Sequence, residues 1–310
     1  NTDAIDNSAG VDTSDHEVNI KILLADAIRG GALKANARDK LLESMTDEVG
    51  NLVLMDNYDQ TGAISIAQAT AANDLDSHER FIQRLEAAGK LARRVEGLPL
   101  TGEIAALRAA KLGLTRPELA KLVAYAKIDL FDALVASSAP DDPAFAEPLK
   151  EYFPKEIWKF EPQMKTHRLR REIIATQLAD DLINRCGPSF VDRVSEVSRA
   201  NAVVIAQSCE AARRIFDLEQ LVDRINALDN KAPAAAQIAL HQRVGGALRR
   251  ATTYLARTAG FDGEKPPSIL DVVELYREPV EAQRAHAWEE LSAIERERVA
   301  LREKMLVDLG

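Results

Sequence analysis

Two cysteines in 310 residues, Cys186 and Cys209, are too few for a disulfide framework, and nothing in the chain resembles a secretory leader. Both read as reduced, buried or half-buried thiols. No apolar run approaches the ~18 residues that a membrane span requires, so no membrane partner is expected. No G-x-G-x-x-G occurs, which removes a dinucleotide fingerprint from the chain itself. Histidine is sparse: His78, His167, His241 and His286 stand isolated, and the paired histidines of a zinc helix are missing. A basic footprint is missing too. The net charge is −9, which argues against a dedicated nucleic-acid binder, and the acidic residues are spread out rather than gathered into a tail. The first residue is not Met, and the chain is expected to begin inside a longer polypeptide. These features fit a cytoplasmic setting.

What is present is helical periodicity, led by a polar entry segment. Asn1–Asn19 is rich in Asp and Asn, almost free of large apolar side chains, and runs directly into an apolar helix pattern. Gly10 offers backbone freedom for a tight bend or a close ligand approach. Ser14-x-x-Glu17 has the form of a capping box, so a helix is expected to open at Ser14. Such an opening exposes free N–H groups and a positive dipole end, where a carboxylate or phosphate can sit. A structural cap and a ligand site both remain open on residue type. Asp3, Asp6, Asp12, Asp15, His16 and Glu17 are dense, but their spacing is not that of a calcium-binding loop, and no metal is assigned.

Ile20, Leu23, Leu24, Ala27 and Ile28 continue the first helix, which Gly30-Gly31 can end. Further helical stretches are expected at 38–57, 64–73 and 78–95, with a loop near 96–102. Residues 114–137 form the clearest helix: Thr115 caps it, Glu118 stands at N3, Pro117 lies in the first turn, and Leu114 and Leu119 can staple its entry. Prolines break the pattern between 138 and 154, either as a boundary or as a long loop across one bundle. Tyr152, Phe153, Trp158 and Phe160 follow as a packed corner or a binding groove. His167, Arg168, Arg170 and Arg171 suit either a phosphate or a solvated face paired with the nearby Glu172, Asp180 and Asp181 or with a neighbouring helix.

Between 188 and 216 an apolar stripe contains Asn201 and Ser208, with Asn201 read as a register-fixing polar group or a substrate contact. A helix at 237–259 carries Arg243, Arg249, Arg250 and Arg257 toward a surface or subunit contact. Ser268-x-x-Asp271 restarts a helix, and Ala287, Leu291, Ile294, Leu301 and Met305, with Arg298 in one core slot, trace a coiled-coil-like seam for intramolecular packing or an oligomer contact.

Asn7, Gly10, Val11, Ser14 and Glu17 match the Asn-x-Gly-Gly-Val-x-x-Ser-Tyr-x-Glu segment that closes the nucleotide domain of glutamate dehydrogenases, with Ala9 and Asp15 as departures. Together with LTRPELAKLVAYAKID at 114–129 and HRLRREIIATQLADDLINR at 167–185, the chain resembles the C-terminal portion of the large bacterial NAD-specific members. The resemblance implies oxidative deamination of L-glutamate to 2-oxoglutarate and ammonia, with NAD as hydride acceptor. It implies Ser14 on the substrate's side-chain carboxylate, and Asn7 and Gly10 at the cofactor edge. The catalytic acid and base are expected in an upstream part of the same polypeptide, and none is assigned here.

The expected fold is all-α: a multi-helix bundle preceded by the closing loop and helix of a nucleotide-binding, Rossmann-like domain. Residues 1–30 would end the catalytic domain. Residues 31–310 would form a helical domain, with a possible division near 138–154, acting in assembly or regulation and forming a homo-oligomer. A non-catalytic helical module for oligomerisation or effector binding is the alternative.

Overall fold

A computed structural model describes residues 8–283. The described residues contain no β-strand, as the periodicity anticipates. The front helices are α1 (Ser8–Arg29), α2 (Arg38–Ser44), α3 (Thr46–Thr70), α4 (Leu75–Ala87), α5 (Arg93–Glu96) and α6 (Thr101–Ala109). After them come α7 (Arg116–Val135), α8 (Ala146–Glu151), α9 (Glu161–Lys165) and α10 (Arg170–Cys186). The set closes with α11 (Phe190–Ser198), α12 (Ala202–Ile215), α13 (Leu218–Asn226) and α14 (Ala234–Thr258), and residues 269–283 are again helical.

The core is one apolar cluster reaching from Ile20 to Val273, with no gap near 138–154. Helix α10 lies at its centre, in contact with α3, α7, α12 and α14. Its residues Ile173, Ile174, Ala175, Leu178, Ala179, Leu182 and Ile183 are all buried, covering more than one face, as a helix packed on several sides requires. Each fully buried leucine or isoleucine contributes about 1.5–3 kcal/mol through apolar burial. The proline-rich stretch is drawn into the same core. Short helical turns there bury Phe145, Leu149, Phe153, Ile157, Phe160 and Met164, and the Trp158 indole N–H donates to the Phe153 carbonyl at 2.7 Å. The aromatic cluster is therefore a packed corner.

Several local signals act as expected. Glu118 Oε2 accepts from the Thr115 backbone N–H at 2.6 Å and from its hydroxyl at 2.7 Å, and Leu114 and Leu119 are both buried. Gly31 takes φ +75° just past α1, where Ala32 N–H donates back to Ala27 O at 2.8 Å. Ser268 and Asp271 cap one another reciprocally at 3.0 and 3.1 Å. Gly113 answers to space instead: a Cβ there would stand 2.2 Å from the backbone carbon of Ala71, so α7 approaches the end of α3 only through a residue without a side chain.

Other boundaries move. Residues 46–70 form one continuous helix where a break after Asn57 is expected. Tertiary polar contacts carry α3 through its Asn-, Asp- and Gly-containing middle: Arg116 donates to Ser65 Oγ at 2.9 Å and Thr61 O at 3.2 Å, and Tyr58 OH donates to Asp229 at 2.8 Å. The expected 78–95 helix is instead α4 and α5, separated at Gly89 (φ +70°). The 188–216 stripe belongs to two helices divided at Arg199 (φ +68°). Asn201 is the N-cap of α12, its Oδ1 accepting from Val204 N–H at 3.0 Å, so it fixes a helix start and not an interhelical register.

His78 on α4 is 2% exposed. Burial, reinforced by the Arg193 charge, lowers its pKa from 6.5 to about 4 despite Asp74. The imidazole is thus neutral when folded at pH values where the unfolded chain already binds a proton. Its contribution is complete above pH 6.5 and disappears as pH falls toward 4, an order of about 3 kcal/mol. Urea titrations across that window are expected to show a steep loss of stability that flattens in a His78→Gln variant.

Candidate functional site

Helix α1 presents two chemically different faces. Inward lie Ile20, Leu23, Leu24 and Ala27, at most 2% exposed, together with buried His16 and Asn19. Outward lie Gly10, Ser14 and Glu17, exposed and three or four residues apart, hence on one side of the helix. Val11 and Val18 stand beside them, 63% and 51% exposed. The helix already includes Ser8, so Gly10 occupies no turn and Ser14 is not an N-cap, contrary to the capping-box reading. Glu17 pairs with Lys21 instead. Ser8 Oγ donates to Asn57 Oδ1 on α3 at 2.7 Å, which fastens this part of α1 to the bundle. Asn7 lies outside the described residues.

Behind the outward face is a polar cluster between α1 and α3. Asp12 and His16, one turn apart on α1, meet Asp56 of α3 so that one donor atom from each lies within 4.8 Å of the others. Burial raises the Asp12 carboxyl above its ordinary range, with His16 opposing. Asp56 sits at the exposed rim, where desolvation by its neighbours and then the Asp12 charge push it up to about 7. Burial lowers His16, against the pull of Asp12 and Asp15, which favours the neutral imidazole. The Tyr152 ring stacks on His16 with centroids 4.4 Å apart. Its oxygen accepts from Asn19 Nδ2 at 2.8 Å, and His167 Nε2 lies 3.1 Å from Asn19 O. Residues from three distant stretches therefore support one side of α1.

Of the partners foreseen for the basic cluster, Arg170 and Arg171 use a neighbouring helical element, the short turn Ala139–Asp141, and not the carboxylates of their own helix. Arg170 and Arg171 both pair with Asp141. Arg170 also reaches Pro140 O at 3.2 Å, and Arg171 reaches Val135 O at 3.1 Å and Ser137 O. Glu172, Asp180 and Asp181 are not their partners, and both guanidinium groups are spent on the chain end that leaves α7. Cys186 and Cys209 are free thiols, half-buried and buried, and burial raises the Cys186 thiol.

A cavity of about 290 Å³ opens elsewhere, lined by Tyr58, Arg116, Asn184, Arg185 and His241 among others. Arg185 there is already matched by Asp181 at 3.7 Å and Glu219 at 3.0 Å. Asp56 was not singled out by sequence, and Tyr152 only as part of an aromatic corner or groove, not as a neighbour of His16. The i, i+4 spacing of Asp12 and His16 was visible, but a lone aspartate forty-four positions later gave no local sign of joining them.

Residues 111–310 match the family model described as "Glutamate dehydrogenase, C-terminal". The chain belongs to the glutamate dehydrogenase family. Residues 1–67, which carry Ser14, the polar cluster and most of α3, match the catalytic domain of bacterial NAD-glutamate dehydrogenases. The NAD-specific glutamate dehydrogenase of Halomonas elongata is 38% identical over the whole chain, which spans 19% of that protein. Those of Pseudomonas aeruginosa and Mycobacterium tuberculosis are 43% and 41% identical over 83% and 78% of the chain, which match 16% and 15% of their lengths. The chain thus corresponds to less than a fifth of these dehydrogenases. No helix among the described residues is long and apolar enough to cross a membrane.

Tyr152→Phe keeps the ring against His16 but removes the acceptor of the buried Asn19 amide. The variant is expected to lose about 1–3 kcal/mol, the usual consequence of stranding a buried donor, read as a lower midpoint in chemical denaturation.

Proposed function

We propose that this chain is the C-terminal portion of an NAD-dependent glutamate dehydrogenase, which converts L-glutamate, NAD and water to 2-oxoglutarate, ammonia and NADH in the cytoplasm. The observation that carries the reading is the catalytic-domain match over residues 1–67, with Ser14 inside it on the exposed face of α1. Ser14 donates its hydroxyl hydrogen to the side-chain carboxylate of glutamate and so orients the α-carbon. Asn7 and Gly10 border the nicotinamide end of the cofactor. Gly10 suits that position, since it adds no side chain to the same exposed face one turn from Ser14. The described residues contain helices and connecting turns but no strand, and offer an edge to NAD and not a phosphate-binding fold of their own. NAD, when bound, supplies the hydride acceptor. This chain supplies position, and the upstream part of the same polypeptide supplies acid and base.

Residues 1–30 then close the catalytic unit and residues 31–310 form a helical domain for assembly. The contact of α1 with α3 joins the two through packed side chains, which makes the position of the Ser14 face depend on the helical domain. The seam of Ala287, Leu291, Ile294, Leu301 and Met305 lies outside the described residues, and we assign it to a homo-oligomer contact.

In the complete enzyme, Ser14→Ala is expected to raise KM for L-glutamate by about 10- to 100-fold, the equivalent of one hydrogen bond to a charged group, with unchanged circular dichroism. Unaltered kinetics would remove Ser14 from the substrate site. Deleting residues 287–310 is expected to lower the particle mass in light scattering; an unchanged mass would reject the assembly role.

A further inference from the structure

The cluster behind the Ser14 face has the composition and geometry of a cation site. Its donor atoms come from Asp12 and His16 on α1 and from Asp56 on α3, all within 4.8 Å of one another. Three separate features distinguish it from an ordinary acidic patch. His16 is 2% exposed, yet its Nδ1 has no hydrogen-bond partner, and its Nε2 faces Asp12 Oδ1 at 3.9 Å, beyond hydrogen-bond reach. Asp12 Oδ2 is also buried without a partner. Among the described residues no lysine or arginine is paired with Asp12 or Asp56. Lys127, which approaches from α7, is engaged by Asp180 at 3.0 Å and by Gln60 at 3.2 Å.

An imidazole and two carboxylates converge, and the contact between Asp12 and Asp56 is a hydrogen bond that requires a proton on one of them, which a cation would displace. A buried polar side chain left unsatisfied is costly, and two carboxylates side by side repel one another. One divalent ion relieves both conditions.

We propose that Asp12, His16 and Asp56 bind a divalent transition-metal ion that clamps α1 onto α3. An i, i+4 pair on one helix directs both donors to the same side, as metal-binding helices do, and the third ligand crosses from the neighbouring helix. Metal–donor bonds of about 2.0–2.2 Å call for tighter spacing than 4.8 Å. Asp56 lies at the exposed rim, where its side chain is free to adjust, and the proposal requires that adjustment on binding. The nitrogen donor favours Zn²⁺ over Ca²⁺ and Mg²⁺, which prefer oxygen-only shells, and the two carboxylates leave Mn²⁺ as a weaker occupant.

The ring of His16 is oriented by stacking on Tyr152 and not by a hydrogen bond, which leaves its nitrogens available. The site faces inward while Ser14 faces outward, so the ion's task is mechanical: it holds the helix that carries the proposed substrate contact.

The test uses the intact protein after chelator treatment, titrated calorimetrically with ZnCl₂, MnCl₂ and MgCl₂. The expected result is saturable binding of about one Zn²⁺ or Mn²⁺ per chain, a raised melting temperature on loading, and little response to Mg²⁺. Asp56→Asn, a rim substitution that leaves the core alone, is expected to weaken binding at least about 10-fold and to abolish the thermal shift. X-ray absorption at the zinc edge is expected to show one imidazole donor in the loaded protein and none in His16→Gln. Absence of saturable binding, equal affinity in Asp56→Asn, or an imidazole signal that persists in His16→Gln would each overturn the site. None of these readouts depends on dehydrogenase activity, so the site can fail while the catalytic reading stands, and the reverse.

Discussion

Burial of α10 on several sides at once is the constraint from which the arrangement follows. A helix of seventeen residues that buries Ile173, Ile174, Ala175, Leu178, Ala179, Leu182 and Ile183 must be surrounded, and α3, α7, α12 and α14 do so. Helix α1 packs along α3, with contacts to α9, and buries its Leu23, Leu24 and Ala27 side. The polar end of α1, carrying Asp12, His16 and Ser14, is then held at a set depth and rotation. Position at the candidate site is thus inherited from packing far from it.

The two faces of α1 divide the work. Inward, stacking of His16 on Tyr152 and the hydrogen bonds of Asn19 lock rotation of the helix about its own axis. Outward, small and polar residues leave room for a partner surface. A serine on a helix with a free axis would present its hydroxyl over a wide arc. Restricting that arc is the kind of preorganisation by which a distant scaffold serves binding.

Much of the fold was legible because its signals are local. Thr115 with Glu118, Gly30-Gly31 and Ser268 with Asp271 each terminate a helix through groups within a few residues, and the structure uses all three as read. What was not legible depended on partners distant in sequence. Helix α1 runs on through Ser14 from at least Ser8, whose hydroxyl is fastened to Asn57, so the Ser14–Glu17 signal does not open it. Asn201 looked like a polar intruder in one long stripe because nothing near it announced the left-handed turn at Arg199. Arg170 and Arg171 found Asp141 across a proline-containing turn, while the nearer carboxylates on their own helix were passed over. The candidate site mixes both kinds: the Asp12–His16 spacing is visible in the text of the chain, whereas Asp56 and Tyr152 become neighbours only on folding.

Arg171 binds more than a carboxylate. Its guanidinium gathers carbonyls at the outgoing end of α7, where backbone acceptors are left over, while its own Cα belongs to the opening turn of α10. One side chain therefore closes the end of one helix from the beginning of another. Neither terminus can fray without releasing the other, so α7 and α10 share a single opening event, and the segment 136–169 between them is riveted where it leaves one helix and enters the next.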